Sequence, residues 1–434
     1  MDIDYQQLRL DGIYRQDQTG RLMLRIKAPA GVLSSLQVEQ LCTLAEDFAQ
    51  GSLHLTSRCS IELHGLAHAD LKTIFPRLDA VGLTSRGACG GAVRGISCST
   101  TLGAHFDVAQ LLARRLQRHF AGNPYFEGLP KKFKISVDGD YSRSRHLIQD
   151  VGLVYVGDDD GVECFDIWCA GGLGRAPQAG FLFEKAVASN RVIPLTESIV
   201  RVYAAHTPAG KRLKSLLNDI GEERFRTLVS TDGAAHSVPS LRPTVVGAAL
   251  PSKHAIIEVG IFAGEINATR FSALAQLANS YCDGFLALTA DQNIALPLVQ
   301  SDQRDAAQQA LAAAGFSGET PAEQVTFRVC PGNHECRMGL SATRDVAAHV
   351  IHALDAAGRQ QSWAISGCAN SCSQPQLADF GIMTSNGEKK GAGTRTPRFD
   401  LYRRSSAGLG RVVAENLDLD ELLRLVNTLP AVKL

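Results

Sequence analysis

The sequence contains two copies of one pattern, and this internal repeat restricts the possible folds more than any other feature of the chain. Residues 30–66 align without a gap onto residues 263–299, at a constant offset of 233 positions. Identical residues run through both copies, including the pairs Leu41 and Leu274, and Gly51 and Gly284. Self-similarity of this kind predicts two structurally related units that pack against each other.

Each copy predicts the same succession of strands and helices. In the first copy, the apolar strand Leu22–Ile26 precedes a stretch with helical apolar spacing that ends at Gly51. Two more strands, Leu53–Leu55 and Ile61–Leu63, lead to a second helix that ends at Gly82. This β-α-β-β-α order is that of a ferredoxin-like half-domain. We therefore predict an α+β fold in which two such halves are related by pseudo-twofold symmetry, with the active site between them.

Each half is followed by enough residues for a further domain. The predicted domains are residues 1–96 and 237–328 for the two half-domains, and residues 97–236 and 329–434 for two α/β domains. In the first α/β domain we expect a helix at Val108–Phe120 and strands at Phe133–Val137, Leu153–Val156 and Glu163–Ala170. The Gly, Ser and Pro content of 232–251 indicates a linker, and residues 417–429 are predicted to form a closing helix.

The composition limits the class of protein. The chain has 44 basic and 44 acidic residues, and this neutral balance argues against a nucleic-acid coat or a membrane-surface protein. The N-terminus shows no basic region followed by an apolar run, and no window approaches 18 uninterrupted apolar residues. We therefore expect a cytoplasmic protein that binds neither nucleic acid nor membrane.

Four of the 11 cysteines are spaced as metal ligands. Cys330 and Cys336 enclose five residues, and Cys368 and Cys372 enclose three. An odd number of cysteines without an export signal argues against a disulfide framework. The other seven cysteines are scattered along the chain, so we expect them to be small buried side chains.

Sites made only of thiolates bind zinc or iron–sulfur clusters. Zinc ribbons usually place two residues between paired cysteines, and no histidine follows Cys372 at zinc-finger spacing. The wider spacings in this chain fit a cubane better, because its corners are further apart than the ligands of one ion. The residues therefore favour a 4Fe–4S cluster that feeds electrons to a catalytic cofactor, with structural zinc as the alternative.

The cysteine pattern and the segment Ala378–Gly381 after it resemble the signature of the siroheme-dependent sulfite and nitrite reductases. The resemblance continues along most of the chain, in the repeat and in segments 53–58, 94–97, 129–134 and 171–174. It implies that the four cysteines hold a 4Fe–4S cluster, and that Cys372 also bridges the cluster to the iron of siroheme. It further implies that the two α/β domains bind these two cofactors.

The resemblance also assigns a set of basic residues to the substrate anion, namely Arg58, Arg94, Lys132 and Lys134. Fixed cations aimed at the oxygens of sulfite or nitrite stabilise developing negative charge, and the lysines can supply protons. Lys132 and Lys134 alternate with Phe133 on a predicted strand, which places both cations on one face. The second repeat copy has Asp291 where the first has Arg58, so only the first half presents a cation at that position.

Siroheme carries eight carboxylates, and the resemblance therefore implies further contacts around the macrocycle. The predicted contacts are Arg86, Gly171, Gly172, Arg175, Gln292, Asn293, Arg395 and Arg398. The arginines would pair with carboxylates, whereas the glycines would let the backbone approach closely.

Several activities compete within this resemblance. Six-electron reduction of sulfite to sulfide is favoured, because assimilatory-type sulfite reductases tend to keep both lysines. Plant-type nitrite reductases tend to have Asn at the position of Lys134, so reduction of nitrite to ammonia by the same cofactors is the first alternative. Precorrin-3B synthase, whose members usually lack the second lysine, is less favoured. A non-catalytic iron–sulfur electron carrier would need no group of four cations.

The electrons must come from another protein. No Gly-x-Gly-x-x-Gly motif follows a predicted strand, and no flavin-binding domain is evident in the sequence. We expect an external one-electron donor, either ferredoxin or a flavoprotein reductase, to reduce the cluster.

Overall fold

The structure, a computed structural model, describes residues 4–98, 105–232, 255–385, 389–390, 394–404 and 408–428. The helices are α1 (Tyr5–Leu8), α2 (Ser35–Phe48), α3 (Leu71–Asp79), α4 (Phe106–Phe120), α5 (Ser189–His206), α6 (Leu213–Ile220), α7 (Glu222–Asp232), α8 (Ala268–Tyr281), α9 (Arg304–Ala313), α10 (Pro321–Gln324), α11 (Thr343–Ala353), α12 (Ala356–Arg359) and α13 (Leu419–Thr428). The strands of the first repeat copy and its following domain are β1 (Ile13–Arg15), β2 (Leu22–Lys27), β3 (Val32–Ser34), β4 (Ser52–Leu55), β5 (Ser60–Leu66), β6 (Ser97–Cys98), β7 (Ile135–Asp138), β8 (Val151–Asp159), β9 (Val162–Cys169) and β10 (Phe181–Ala188). Those of the second copy and its following domain are β11 (Ile256–Val259), β12 (Glu265–Asn267), β13 (Phe285–Leu288), β14 (Ile294–Pro297), β15 (Phe327–Val329), β16 (Trp363–Ser366), β17 (Phe380–Ser385), β18 (Lys389–Lys390), β19 (Thr394–Arg395), β20 (Arg398–Arg403) and β21 (Arg411–Leu417).

The two repeat copies form two sheets that exchange a strand. The strand orders are β1-β2-β5-β4-β12 in one sheet and β11-β14-β13-β3 in the other. β3 belongs to the first copy but pairs with β13, where Leu33 lies opposite Leu286. β12 of the second copy pairs in turn with β4, where Ile266 lies opposite Leu53. Each sheet is therefore extended by a strand from the other half, which covers an edge that would otherwise be unpaired.

One hydrophobic core runs through both halves. The equivalent helices α2 and α8 pack against each other, and the aligned residues Leu41 and Leu274 are both fully buried in the same cluster. Both helices begin at a side-chain cap, Ser34 for α2 and Asn267 for α8, which satisfies a free N–H group of the first turn. The predicted α+β fold with two related ferredoxin-like halves is confirmed.

The helix ends predicted at glycine also occur in the structure. Gly51 and Gly284 follow α2 and α8 with φ of +70° and +75°. An L side chain rarely adopts this conformation, whereas glycine adopts it at no steric cost. The glycines thus turn the chain from each helix into the next strand, which is a common way for a helix to end.

The two domains that follow the halves have sheets of the same design. Their strand orders are β10-β9-β8-β7-β6 and β15-β16-β17-β20-β21. In each sheet three neighbouring strands are parallel, β6, β7 and β8 or β15, β16 and β17. The remaining two strands are antiparallel in both cases. The pseudo-twofold relation therefore extends beyond the ferredoxin-like halves to the domains that follow them.

Most predicted elements lie within a few residues of observed ones. The helix expected at 108–120 is α4, and the closing helix is α13, each with slightly shifted ends. The exchanged strands β3 and β12 were not predicted. All but the first residue of the predicted linker 232–251 lies outside the described residues. The domain boundaries remain predictions, since β3 and β12 cross between the halves.

None of the helices in the described part of the chain combines the length and the apolar composition that a membrane crossing requires.

Candidate active site

The four predicted ligand cysteines lie on two loops at one edge of a parallel sheet. Cys330 directly follows β15, and Cys368 follows β16 by two residues. Because β15 and β16 are parallel neighbours, both loops leave the sheet at the same edge. The loops also touch, since the Gly367 amide donates a hydrogen bond to Cys330 Sγ at 3.1 Å and the Leu340 amide donates to the Gly367 carbonyl at 2.8 Å. The fold therefore brings the two cysteine pairs together.

Two glycines make the first cysteine loop compact. A Cβ atom on Gly339 would lie 2.2 Å from the carbonyl carbon of Gly332. A Cβ atom on Gly332 would lie 2.4 Å from Thr343 Oγ1, and Gly332 has φ of +59°. Both positions bring backbone closer than a side chain allows. This close packing turns the segment between Cys330 and Cys336 back toward the sheet edge.

The thiols differ in their exposure and influence one another electrostatically. Cys336 and Cys372 are exposed, whereas Cys330 and Cys368 are partly buried. Burial, followed by the negative charge of Cys372, raises the pKa of the Cys330 thiol to about 12. Burial likewise raises the pKa of Cys336 and of Cys368, with Cys372 contributing in the same direction. Cys330, Cys336 and Cys368 therefore each lie within electrostatic reach of Cys372.

Among the described residues, no three His, Cys, Asp or Glu side chains lie close enough together to hold a single metal ion. The ligands of a cubane lie further apart than those of one ion, so this spacing is compatible with a cluster of several iron atoms. The four thiols on two adjoining loops form the donor set that a 4Fe–4S cluster requires. The donor chemistry thus fits a cluster.

The two predicted lysines lie beside the cysteine loops. Lys134 immediately precedes β7, and Phe133 forms an isolated parallel bridge with Val93. Phe133 is fully buried, while Lys132 and Lys134 on either side of it are partly exposed. The predicted separation of both cations from the ring is therefore present. Neither ammonium group forms a hydrogen bond or an ion pair with another side chain in the described ranges.

The surroundings of both lysines favour loss of their protons. Burial lowers the pKa of Lys132 to about 8, although the charge of Cys372 acts in the opposite direction. Burial also lowers the pKa of Lys134 well below its usual value, and the neighbouring charge of Lys132 adds to this effect. Two unpaired ammonium groups in a partly desolvated space are suited to bind an anion and to give up protons to it.

Arg58 and Arg94 complete the basic group. Arg58 donates hydrogen bonds only to neutral partners, Gln149 Oε1 at 3.0 Å and the Gly95 carbonyl at 2.9 Å. Burial lowers the pKa of Arg58 to about 10, and the charge of Arg94 contributes next. Arg94 is 6% exposed, and its Nη1 has no hydrogen-bond partner among the described residues. Both guanidinium groups therefore keep a positive charge that no carboxylate of the described residues neutralises by direct contact.

The loop that carries Arg58 is tied directly to the second cysteine loop. Ser57 Oγ donates a hydrogen bond to the Cys372 carbonyl at 2.8 Å. The Gln374 amide group donates in turn to the Ser57 carbonyl at 3.1 Å. These contacts join the first half-domain to the last cysteine. The position of the Arg58 side chain is thus set relative to Cys372.

Two further arginines at the site have no counterpart in the sequence predictions. Arg25 forms an ion pair with Glu62, and Arg212 forms one with Asp150 at 2.7 Å. Both arginines lower the pKa of Lys132. They come from segments far from the lysines in the chain, so no local sequence pattern predicts their position at the site.

The four arginines predicted to contact siroheme differ in their partners and in their exposure. Arg86 is paired with Asp11 at 2.8 Å and with Glu127 at 2.6 Å. Arg398 lies near two carboxylates of α13 and its flank, Asp418 and Glu421, at 3.7 Å and 3.8 Å. These carboxylates compete with any other anion for the two guanidinium groups.

Arg175 is exposed on the loop between β9 and β10. Arg395 belongs to β19, and its side chain lies outside the described part of the structure. For all four arginines, contact with siroheme remains a prediction.

The remaining predicted contacts have structural partners within the chain. A Cβ atom on Gly171 would lie 2.2 Å from the Leu147 carbonyl oxygen, and one on Gly172 would lie 3.3 Å from Arg212 Nη2. The close approach at these glycines is therefore an approach to the protein itself. This explains the glycines without a cofactor, and their contact with siroheme stays a prediction.

Gln292 connects the two halves, whereas Asn293 forms its hydrogen bonds within the second half. The Gln292 amide nitrogen donates to the Leu55 carbonyl at 2.6 Å, and its oxygen accepts from the Val329 amide at 2.6 Å. Asn293 Nδ2 donates to Glu258 Oε1 at 2.8 Å. Gln292 is 2% exposed. Its two hydrogen bonds connect the first half to β15, the strand that leads into Cys330. A cofactor contact at these residues remains a prediction.

The other seven cysteines are all buried, as predicted from their scattered positions.

The fold and the site define a redox protein that combines a cluster of cysteines with a partly buried group of cations. The model of the nitrite and sulphite reductase 4Fe-4S domain matches residues 90–236. The model of the nitrite/sulfite reductase ferredoxin-like half domain matches residues 14–81 and 251–314.

Relatives and a solved structure agree with these matches. The chain is 31% identical to ferredoxin–nitrite reductase of Synechococcus elongatus, over 88% of this chain and 80% of the relative. It is 28% identical to sulfite reductase [ferredoxin] 2 of Mycolicibacterium paratuberculosis, over 84% of this chain and 71% of the relative. The solved structure of the Mycobacterium tuberculosis NirA protein has the same fold, with a TM-score of 0.82, 22% identity and coverage of 97% of this chain and 85% of that one.

This chain belongs to the nitrite and sulfite reductase family. It is an oxidoreductase whose cofactors are siroheme and a 4Fe–4S cluster, and the alternative of a non-catalytic electron carrier is set aside. The relatives include both nitrite and sulfite reductases, so family membership leaves the choice of anion open.

Proposed function

We propose that the chain reduces sulfite to sulfide at a siroheme coupled to the cluster. The observation that carries this proposal is Lys134, an unpaired second lysine next to Lys132 at the amino end of β7. Sulfite is bulkier and carries more negative charge than nitrite, so a second cation favours it. Arg58 and Arg94 add two guanidinium groups to the same space.

Cys330, Cys336, Cys368 and Cys372 would hold the cluster, and the cluster and siroheme would pass the six electrons of the reaction from the external donor to the anion. The protein supplies position, charge and protons. Arg58 and Arg94 bind the oxygens of the anion, because guanidinium groups donate several hydrogen bonds in fixed directions. Lys132 and Lys134 donate protons to the oxygens that leave as water, and their lowered pKa values favour this transfer.

Nitrite reduction to ammonia is the second candidate. It is supported by the nitrite reductase of Synechococcus elongatus, which is 31% identical to this chain. Nitrite is a smaller anion and needs fewer cations around its oxygens. The two activities therefore differ most in how much they depend on Lys134.

The test compares kcat/KM for sulfite and for nitrite in the holoenzyme, with reduced methyl viologen as donor, before and after Lys134→Asn. If sulfite is the substrate, the unchanged protein has the higher kcat/KM for sulfite. The substitution should then lower that value by about 10- to 100-fold and the nitrite value by much less, since a lost charge-assisted contact costs about 1.5–3 kcal/mol. The matched control is Lys131→Asn, because Lys131 is an exposed lysine on the same segment.

A higher kcat/KM for nitrite in the unchanged protein would overturn the assignment to sulfite. Equal losses for both anions in the Lys134→Asn protein would show that this lysine does not select between them. Absorbance spectra of siroheme and of the cluster in both variants would show whether the cofactors are retained.

We further propose that ferredoxin is the electron donor. Several relatives use ferredoxin according to their names, among them those of Synechococcus elongatus and Mycolicibacterium paratuberculosis. The exposed Cys336 loop gives a one-electron carrier a short path to the cluster. Steady-state turnover with reduced ferredoxin should exceed turnover with a flavoprotein reductase and NADPH. The reverse result would favour the flavoprotein donor.

A further inference from the structure

A second cleft lies at the opposite edge of the sheet that carries the cysteine loops. Its cavity volume is about 810 Å³. On one side it is lined by Thr326, Ser362 and Asp379, which directly precede β15, β16 and β17. Parallel strands begin at one edge of a sheet and end at the other, so this cleft is separated from the cysteines by the length of the strands.

The cleft is the pseudo-twofold counterpart of the active site. At the active site, Cys372 on the loop after β16 acts electrostatically on Lys132, which lies shortly before β7 of the other sheet. At the second cleft the roles of the two sheets are exchanged. Residues that precede β15 line the cleft together with Arg143 and Arg145, which follow β7. The two sheets have the same strand order. The contact between the sheets at the second cleft is therefore equivalent to their contact at the active site, with the roles of the two sheets exchanged.

Asp291 shows how the second junction has changed. This residue aligns with Arg58 in the repeat, and it is 2% exposed. It forms ion pairs with Arg328 at 2.7 Å and with Arg145 at 3.0 Å. These buried arginines hold the pKa of the Asp291 carboxyl well below its usual range. At the second junction a carboxylate therefore stands in place of the cation and neutralises part of the charge around it.

The lining of the cleft nevertheless keeps an excess of positive charge. It contains five arginines and one carboxylate, that of Asp379. Arg359 and Arg404 form no ion pair among the described residues, and Arg359 Nε is buried without a hydrogen-bond partner. Arg143 is about half exposed and lies 3.7 Å from Asp291, longer than a direct hydrogen bond. Arg143 and Arg359 are thus available to a ligand, while Arg404 adds positive charge but already donates hydrogen bonds to the Gly408 and Leu377 carbonyls.

We propose that this cleft binds a small polyanion through two or more carboxylate or phosphate groups. Planar guanidinium groups bind both kinds of group with paired hydrogen bonds. Ser142, Gln360 and Gln361 also line the cleft and add neutral hydrogen-bonding groups. The volume lies in the range of small-molecule sites. The lining contains no cysteine or histidine, so the ligand is held by its anionic groups rather than through a metal.

The proposal is independent of whether sulfite or nitrite is reduced, and it is tested by binding alone. Inorganic pyrophosphate and citrate are titrated separately into the holoenzyme by isothermal calorimetry at physiological salt. Tighter binding of pyrophosphate would identify phosphate as the preferred group, and tighter binding of citrate would identify carboxylate. The combined variant Arg143→Gln and Arg359→Gln should weaken the tighter of the two by at least about tenfold.

The matched control is Arg191→Gln, since Arg191 is an exposed arginine outside the cleft that pairs with Glu184. It should leave binding unchanged. Arg145 and Arg328 are unsuitable for substitution, because each is buried and paired with Asp291. Thermal unfolding and the siroheme spectrum are compared for all variants, so that a loss of binding is not confused with a loss of folding.

Two results would overturn the proposal. The first is the absence of binding by either anion at millimolar concentration. The second is binding that is unchanged in the combined variant and that sulfite prevents by competition. The anion would then be bound by the cations of the active site and not by the second cleft.

Discussion

At the scale of single residues, buried ionisable groups set how the protein responds to acid. His146 is 3% exposed and lies between the rings of Tyr141 and Trp168. Burial lowers the pKa of its imidazole to about 4. In an unfolded chain the pKa is about 6.5, so the unfolded state takes up a proton that the folded state does not.

We therefore expect His146 to destabilise the fold as the pH drops from about 6.5 to about 4, and to have no effect above that range. The full difference amounts to about 3 kcal/mol. The free energy of unfolding of the His146→Phe protein should accordingly fall less steeply with acid, as measured by urea titration at several pH values. His54, whose pKa burial lowers to about 3, leaves part of the slope in place.

The control for this prediction is His206→Phe, since His206 is exposed near the end of α5. Its pH dependence should match that of the unchanged protein. Identical slopes for all three proteins would contradict the assignment to His146.

A second prediction at this scale concerns the buried charge of Asp291. Replacing it by Asn leaves Arg145 and Arg328 without their shared carboxylate, and both arginines are mostly buried. Removing one partner of a buried ion pair costs about 3–5 kcal/mol. The Asp291→Asn protein should therefore unfold at a clearly lower urea concentration.

Asp160→Asn is the matched control, because Asp160 is an exposed turn residue with φ of +48° that Asn also adopts. Its effect should stay within about 0.5 kcal/mol. A loss in Asp291→Asn no larger than in this control would mean that the ion pairs do not stabilise the fold.

At the scale of elements, the cysteine loops depend on backbone packing as much as on the cysteines. A Cβ atom on Gly339 would come within 2.2 Å of backbone at Gly332, so Gly339→Ala must displace the loop that carries Cys336. We expect this variant to lose most of its iron and the cluster absorbance while the secondary structure, followed by circular dichroism, is kept.

The control is Gly408→Ala, since an added Cβ there meets no atom of the described residues within 4 Å and no positive φ is involved. Its iron content should equal that of the unchanged protein. Full iron content in Gly339→Ala would show that the loop tolerates the shift.

Element predictions from the sequence were reliable where one periodicity persists. The apolar spacing of α2 and α8 and the glycines after them located both helices. β3 and β12 were missed because each has only three residues, which is too short for a period to be recognised. Their pairing with the opposite half depends on contacts across 200 residues and more, which no local pattern contains.

At the scale of the whole molecule, the exchange of β3 and β12 couples the two halves. Leu33 on β3 is 1% exposed and lies opposite Leu286 of the second half. Leu33→Ala should destabilise the protein by about 2–5 kcal/mol. Because β3 pairs with β13, the amides of β13 and β14 should lose protection from hydrogen exchange together with those of β4 and β5.

Leu36→Ala serves as the control, since Leu36 lies on the same segment but is 69% exposed. It should leave hydrogen exchange unchanged in both halves. Faster exchange confined to the first half in Leu33→Ala would show that the halves unfold separately.

The sequence by itself determined the repeat, the α+β class, the cysteine set and the family resemblance. These properties depend on residue type and spacing along the chain, which the sequence states directly. It also named Arg58, Arg94, Lys132 and Lys134 as the basic group, through the resemblance rather than through spacing, and their role at the substrate anion remains a prediction.

Only the tertiary structure decided which charges are free and which are neutralised. Arg86 and Arg398, whose contact with siroheme remains a prediction, each lie beside carboxylates of the protein. Arg25 and Arg212 lower the pKa of Lys132 from distant segments of the chain. The second cleft likewise forms only because the two sheets contact each other at both ends of their parallel strands. The pairing and burial of a charge depend on neighbours far away in sequence, and folding alone brings those neighbours together.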